Sequence, residues 1–255
     1  MNRVFLLLCA AALPALAQPT DLFLLIGQSN MAGRGVIEPR DQAPIPGVFT
    51  FTKDKAWAPA IDPLHFDKPN LPGVGLGRSF ASTLIDLKMA KNVGLIPAAF
   101  GGSALEEWTP GSAHYQNAIA RAKAALALAG KGARLRGILW HQGEADSTTE
   151  ARSTTYRTRF AAMIEQLRKD LSAEAVPVVI GQLGEFFTGN PFVATVNEQL
   201  AMLPLTVPLS GFVSSQGLKD KGDAVHFDSP SLRELGRRYA LAWLALSPQE
   251  LLPVR

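Results

Sequence analysis

Cysteine is all but missing: Cys9 is the only one in 255 residues. It sits inside an N-terminal segment that reads as a cleaved leader, so the mature chain has no thiol. That excludes disulfides, cysteine nucleophiles and cysteine-ligated metals. Leu8, just before it, is not the small residue a lipoprotein cleavage site needs. Charge has no direction either. The 25 Lys and Arg and 22 Asp and Glu are scattered, without runs or aromatic interleaving, so neither nucleic acid nor an anionic membrane is expected as a partner. Histidine is scarce, and none of His65, His114, His141 and His226 lies three or four residues from another. A zinc site on one helix is not suggested, and no metal or cofactor is expected. Internal repeats, low-complexity tracts and long linkers are also missing, which leaves one domain over 18–255.

Long apolar runs are confined to the start. Met1-Asn2-Arg3, the stretch from Val4 to Leu16 and the Ala15-Leu16-Ala17 site describe a secretory signal peptide over 1–17, cleaved after Ala17. Thirteen positions interrupted by Pro14 are too few to span a bilayer. The mature chain is therefore expected to be secreted or periplasmic, with no integral membrane segment.

What is present is an alternation of short apolar runs with longer stretches of helical period. This is the pattern of a parallel sheet covered on both faces, an α/β chain folded as a three-layer α/β/α sandwich. Strands are predicted near 22–27, 48–52, 93–98, 135–140, 176–182 and 209–213, and helices over 77–91, 115–128, 150–171, 192–202 and 230–246. In the last helix Leu232, Leu235, Tyr239, Ala242, Trp243 and Leu246 form one buried face, and Ser229 before Pro230 is a start signal. The proline-rich stretch 39–72 is expected to be an extended loop with little regular structure.

Four blocks carry chemistry. Gly27-Gln28-Ser29-Asn30-Met31 follows the first strand, Gly101-Gly102-Ser103 with Trp108 follows the third, and His141-Gln142-Gly143-Glu144-Ala145-Asp146 follows the fourth. Asp223-Ala224-Val225-His226 precedes the last helix. If the strands are parallel, the first three turns emerge on one sheet edge, where such folds bind ligands. Ser29 is not in a G-x-S-x-G elbow, because Met31 replaces the second glycine.

These residue types suit acyl transfer. A serine hydroxyl needs a histidine to take its proton, and the histidine needs a carboxylate to fix its tautomer. Asp223 and His226 are at turn distance for that pairing, and His141 reads as a structural histidine or a wall contact. The oxyanion needs donors, which Gly101, Gly102 and the Gln142 side chain can supply. Glu144 and Asp146 are expected to point apart, Glu144 holding its loop or Gln142 and Asp146 bracing the next helix. Glu106 and Glu107 read as exposed, and His65 and His114 as solvated or locally hydrogen-bonded.

In this order the blocks resemble the SGNH-type hydrolases, and more narrowly the sialate O-acetylesterase-like and acetylxylan-esterase-like carbohydrate esterases. The most specific words are Gly27-Gln28-Ser29-Asn30-Met31 and Trp140-His141-Gln142-Gly143-Glu144-Ala145-Asp146. The resemblance implies a flavodoxin-like sheet and a serine esterase that removes O-acetyl groups from a carbohydrate partner such as acetylated xylan or sialic acid. It implies Ser29 as nucleophile, His226 as base, Asp223 as its orienting acid, and an oxyanion hole from the Ser29 amide, Gly102 in preference to Gly101, and Gln142. Gln142 stands where many members of the broader superfamily have asparagine, which suits the narrower branch. Trp108 is expected to stack on a sugar, and Gln28 and Asn30 to shape the turn, donate to the site or contact the sugar. Another small-acyl esterase, lipase or thioesterase, or an inactive carbohydrate-binding homologue, are the alternatives.

Overall fold

The computed structural model describes residues 18–247; the segment read as a signal peptide lies outside them. The first strand, β1 (Asp21–Gly27), is apolar from Leu22 to Ile26 because it is covered on both faces. Leu22, Leu24 and Ile26 pack into one core, and Phe23 and Leu25 into the other. The chain then enters the single turn α1 (Ser29–Ala32) and runs out to the hairpin of β2 (Val48–Phe51) and β3 (Trp57–Pro59). It returns through α2 (Gly77–Asp86) to β4 (Val93–Pro97), then α3 (Ala113–Ala129) and β5 (Arg134–His141). The remaining elements are α4 (Glu150–Thr154), α5 (Tyr156–Asp170), β6 (Val178–Gly181), α6 (Val193–Ala201), β7 (Ser210–Val213) and α7 (Ser229–Leu246).

The sheet order is β3-β2-β4-β1-β5-β6-β7, parallel throughout except for β3, which runs antiparallel to β2. Helices α2 and α7 cover one face, and α3, α5 and α6 the other, giving the expected three layers. On the α7 side Phe23 meets Phe80 and Trp243 edge-on, with ring centroids 4.8 and 5.1 Å apart. Truncating such a fully buried aromatic costs about 3–5 kcal/mol. Because β1 lies between β4 and β5, the chain crosses from one half of the sheet to the other beside it. Their carboxyl ends therefore open on a common crevice.

Four local departures from the sequence reading have physical causes. The 39–72 stretch holds the β2–β3 hairpin as well as a loop. The helix predicted over 150–171 breaks at Thr155, where the Ser153, Thr154 and Thr155 hydroxyls bond back to carbonyls of Glu150 and Ala151, a pattern that bends helices. Helix α2 stops at Asp86 because Lys88 turns left-handed (φ 59°) and lets the Met89 amide close on the Leu84 carbonyl at 2.9 Å. The cap of α7 is Asp228, whose carboxylate accepts the Ser231 amide at 2.7 Å. Ser229 instead donates to the Val36 carbonyl at 2.6 Å.

Candidate active site

Gly27 ends β1 with φ 129° in a place where a Cβ would come within 2.2 Å of the His141 carbonyl oxygen. Only glycine lets the ends of β1 and β5 approach so closely. The Gln28 amide bonds that same carbonyl at 2.9 Å, and the Gln28 carbonyl accepts the Met31 and Ala32 amides. Gln28 thus shapes the turn, while its side-chain oxygen accepts the Ala145 amide at 3.4 Å. Ser29 emerges at the top of the sheet, 7% exposed.

Its Oγ lies 3.0 Å from Nε2 of His226, and Nδ1 of His226 lies 2.7 Å from Oδ2 of Asp223. Oδ1 of Asp223 accepts the Val225 and His226 amides at 3.0 and 2.8 Å. Partial burial pushes the Asp223 carboxyl upward, but the His226 amide and ring and the Val225 amide outweigh it and hold the group below the usual carboxylate range. Lys221 stands 3.5 Å from Asp223 Oδ2 and donates to the Arg34 carbonyl.

Asn30 joins this loop to the sheet edge. Its Nδ2 donates to Glu144 Oε1 at 2.6 Å and to the Val225 carbonyl at 3.1 Å, and its Oδ1 accepts the Phe227 amide at 3.1 Å. Asn30 is therefore turned inward, away from any sugar. Glu144 is buried with Oε2 unpartnered, and burial, opposed by the Asn30 bond, raises its pKa to about 7.

The Gly-rich loop after β4 is fixed by groups with no signal in the sequence. Asp67 Oδ2 takes Arg34 Nη2 at 2.6 Å and the Gly101 amide at 2.8 Å. Gly101 is thereby engaged, whereas no protein acceptor among the described residues takes the Gly102 or Ser29 amide. Gly102 has φ 85°, which favours glycine.

Gln142 requires a correction. It is fully buried, and its two amide hydrogens go to the Ser103 carbonyl (3.0 Å) and Asp146 Oδ2 (2.7 Å), while Oε1 accepts the Tyr156 hydroxyl. It points below the Gly-rich loop and has no donor left for an oxyanion. Trp108 is corrected as well. It is 1% exposed, donates to Ser103 Oγ at 2.9 Å and packs edge-on against Trp140, so it has no face to offer a sugar. Asp146 receives the Leu105 amide, the Gln142 side chain and Arg159 from the first turn of α5. His141 is a buried structural histidine, its Nδ1 3.0 Å from the Tyr239 hydroxyl and its pKa pushed down by burial to about 3. Glu106 and Glu107 are exposed. His114 lies 3.5 Å from Glu107, whereas His65 is buried with neither ring nitrogen hydrogen-bonded.

A serine, histidine and aspartate in hydrogen-bonded series at the carboxyl edge of a mostly parallel sheet form an arrangement suited to serine-hydrolase chemistry. A family model described as carbohydrate esterase, sialic acid-specific acetylesterase, matches residues 19–245. The chain belongs to this family and is a carbohydrate acetylesterase. A probable carbohydrate esterase of Arabidopsis thaliana is 30% identical over 245 residues, covering 89% of this chain and 91% of the relative. The crystal structure of an Arabidopsis thaliana protein superposes with a TM-score of 0.81 at 30% identity, over 89% of this chain and 98% of that one. NanS shares the fold with a TM-score of 0.73 at 19% identity, over 90% and 97% of the two chains. A carbohydrate acetylesterase from Xanthomonas citri does so with 0.64 at 22%, over 88% of this chain and 55% of that one.

Proposed function

We propose that this chain removes O-acetyl groups from a glycan through an acyl-Ser29 intermediate. Ser29 Oγ attacks the acetyl carbonyl carbon as His226 Nε2 takes its proton, and Asp223 keeps the Nδ1 proton in place and stabilises the imidazolium. The amides of Ser29 and Gly102 receive the oxyanion, each such donor contributing about 3 kcal/mol to the barrier. Collapse expels the sugar oxygen, which leaves as a hydroxyl by taking the proton back from His226. Water, activated by the same histidine, then frees acetate. Gln142 contributes by fixing the Ser103 carbonyl, and through it the loop that presents Gly102.

The observation that carries this reading is the unbroken series of contacts from Ser29 Oγ to Asp223, at 3.0 and 2.7 Å. Acetate release from acetylated xylan and from O-acetylated sialosides tests it, together with mass spectrometry of the quenched enzyme. The parent should carry an acetyl group on the Ser29 peptide, and Ser29→Ala should lose about 10³-fold or more in rate. Release at the parent rate by Ser29→Ala would sink the assignment. A p-nitrophenyl ester series should show rates falling from acetyl to palmitoyl, and a rise would favour a lipase instead.

A further inference from the structure

The oxyanion hole takes its two amides from separate segments, Ser29 on the turn α1 and Gly102 on the loop after β4. A buried ion pair spans the gap. Arg34 Nη1 donates to the Gly33 carbonyl at 2.7 Å, and the Gly33 amide in turn closes α1 on the Ser29 carbonyl at 2.9 Å. Arg34 Nη2 reaches Asp67 Oδ2 at 2.6 Å, and that same oxygen accepts the Gly101 amide at 2.8 Å. The two side chains are 5% and 3% exposed. Burial pushes the Asp67 carboxyl upward, but the Arg34 and Gly101 bonds outweigh it and hold the group below the usual carboxylate range. A continuous series thus runs from the turn that carries the nucleophile to the glycine loop.

That loop needs holding. Ser103 donates its amide (3.3 Å) and its hydroxyl (2.8 Å) to the Phe100 carbonyl, and Gly102 has φ 85°, the geometry of a type II turn. A type I turn over the same four residues differs by reversal of the central peptide, which would carry the Gly102 amide to the opposite side. Both residues flanking that peptide are glycine, so no Cβ opposes the reversal. Gln142 fixes the Ser103 carbonyl on one side of it, and Asp67 fixes Gly101 on the other. The pair lies so close to the backbone that a Cβ on Gly101 would come within 2.6 Å of Arg34 Nη2 and 3.0 Å of Asp67 Oδ2. We infer that the pair of Arg34 and Asp67 is a positioning element of the oxyanion hole. It sets the place of the Gly102 amide relative to Ser29, and it acts in the transition state rather than in substrate binding. The inference rests on the esterase reading.

The test compares p-nitrophenyl acetate with p-nitrophenyl thionoacetate, in which sulfur replaces the carbonyl oxygen. Sulfur is a weak acceptor, so the thionoester draws little on the oxyanion amides while using the same serine and histidine. Asp67→Ala should lower kcat for the ester about 10²-fold and leave KM nearly unchanged. The thionoester rate should fall far less, so that the ratio of the two rates shrinks about tenfold or more. Asp67→Asn should restore most of the ester rate, because one carbonyl oxygen can accept both of the bonds that Oδ2 takes. Gly101→Ala keeps both charges and pushes the pair off the loop, and it should show the same ester-selective loss even if Asp67→Ala does not fold. Ester and thionoester rates that fall together, or an ester rate untouched in Asp67→Ala and Gly101→Ala, overturn the inference. With an active parent those results leave the esterase reading standing, whereas a parent that cleaves neither p-nitrophenyl acetate nor an acetylated glycan removes both.

Discussion

Ser29, Gln142 and Glu144 stand at the ends of β1 and β5 and are 7%, 0% and 5% exposed, whereas the Asp223 and His226 side chains are 37% and 22% exposed on a loop. The first group is positioned by the sheet, by the close pass at Gly27 and by a dense set of interior hydrogen bonds. The second is shaped mostly by itself: Asp220 Oδ2 accepts the Gly222 and Ala224 amides, Ala224 adopts φ 56°, and Asp223 accepts two further amides. Between them stands Asn30, whose amide group bonds Glu144 on one side and the Val225 and Phe227 backbone on the other. The nucleophile is thus located by the core, and the base by the bonds of its own loop together with Asn30, which ties that loop to the core.

Substitutions can break this arrangement at each point. Asp223→Asn turns an amide toward Nδ1 and favours the wrong histidine tautomer, so kcat should fall by about 10³- to 10⁴-fold with little change in KM. A loss below tenfold in steady-state kinetics would mean that the exposed carboxylate does not orient the base. Asn30→Ala releases the loop without altering Ser29, His226 or Asp223 chemically. A misplacement of about 1 Å costs on the order of 10²-fold, and kcat rather than KM should carry it. Hydrogen exchange at 223–227 should rise in parallel, and unchanged exchange would sink the tethering role.

The smallest effect concerns stability. In the folded chain Glu144 keeps its proton up to about pH 7, against an ordinary value of 4.5. Between these values the folded state binds more protons than the unfolded one, so stability falls as pH rises through that window. Glu144→Gln should remove up to about 3 kcal/mol of that fall, seen as a flatter plot of melting temperature against pH. Asp62, which burial also holds up to about 7, acts with the same sign and leaves a residual slope. A slope identical to the parent's would show that Glu144 is ionised in the folded chain.

Much of this was legible before any coordinates. The apolar run of β1, the strand-length runs of β4 and β5 and the helical face of α7 required a covered parallel sheet. The turns that follow the strands then had to gather on one edge. Side-chain direction was not legible. Gln142 faces inward because Tyr156, Asp146 and the Ser103 carbonyl capture it, and none of the three is marked by spacing. Trp108 is buried because Trp140 and Ser103 receive it. Arg34 and Asp67 lie 33 residues apart and meet only in the folded chain. The role of Asn30 needed the loop at 225–227 to be brought beside it.

The hairpin that closes the sheet at β3 has a consequence for how copies of the chain meet. An unpaired strand is a template for a neighbouring molecule, and its hazard grows with length and flatness. Here one border is three residues long and ends at Pro59, which has no amide hydrogen to donate, and the other, β7, is four residues long. The sheet offers a second chain little to extend, so crowded chains should resist strand-to-strand association even while the wide central sheet stays intact.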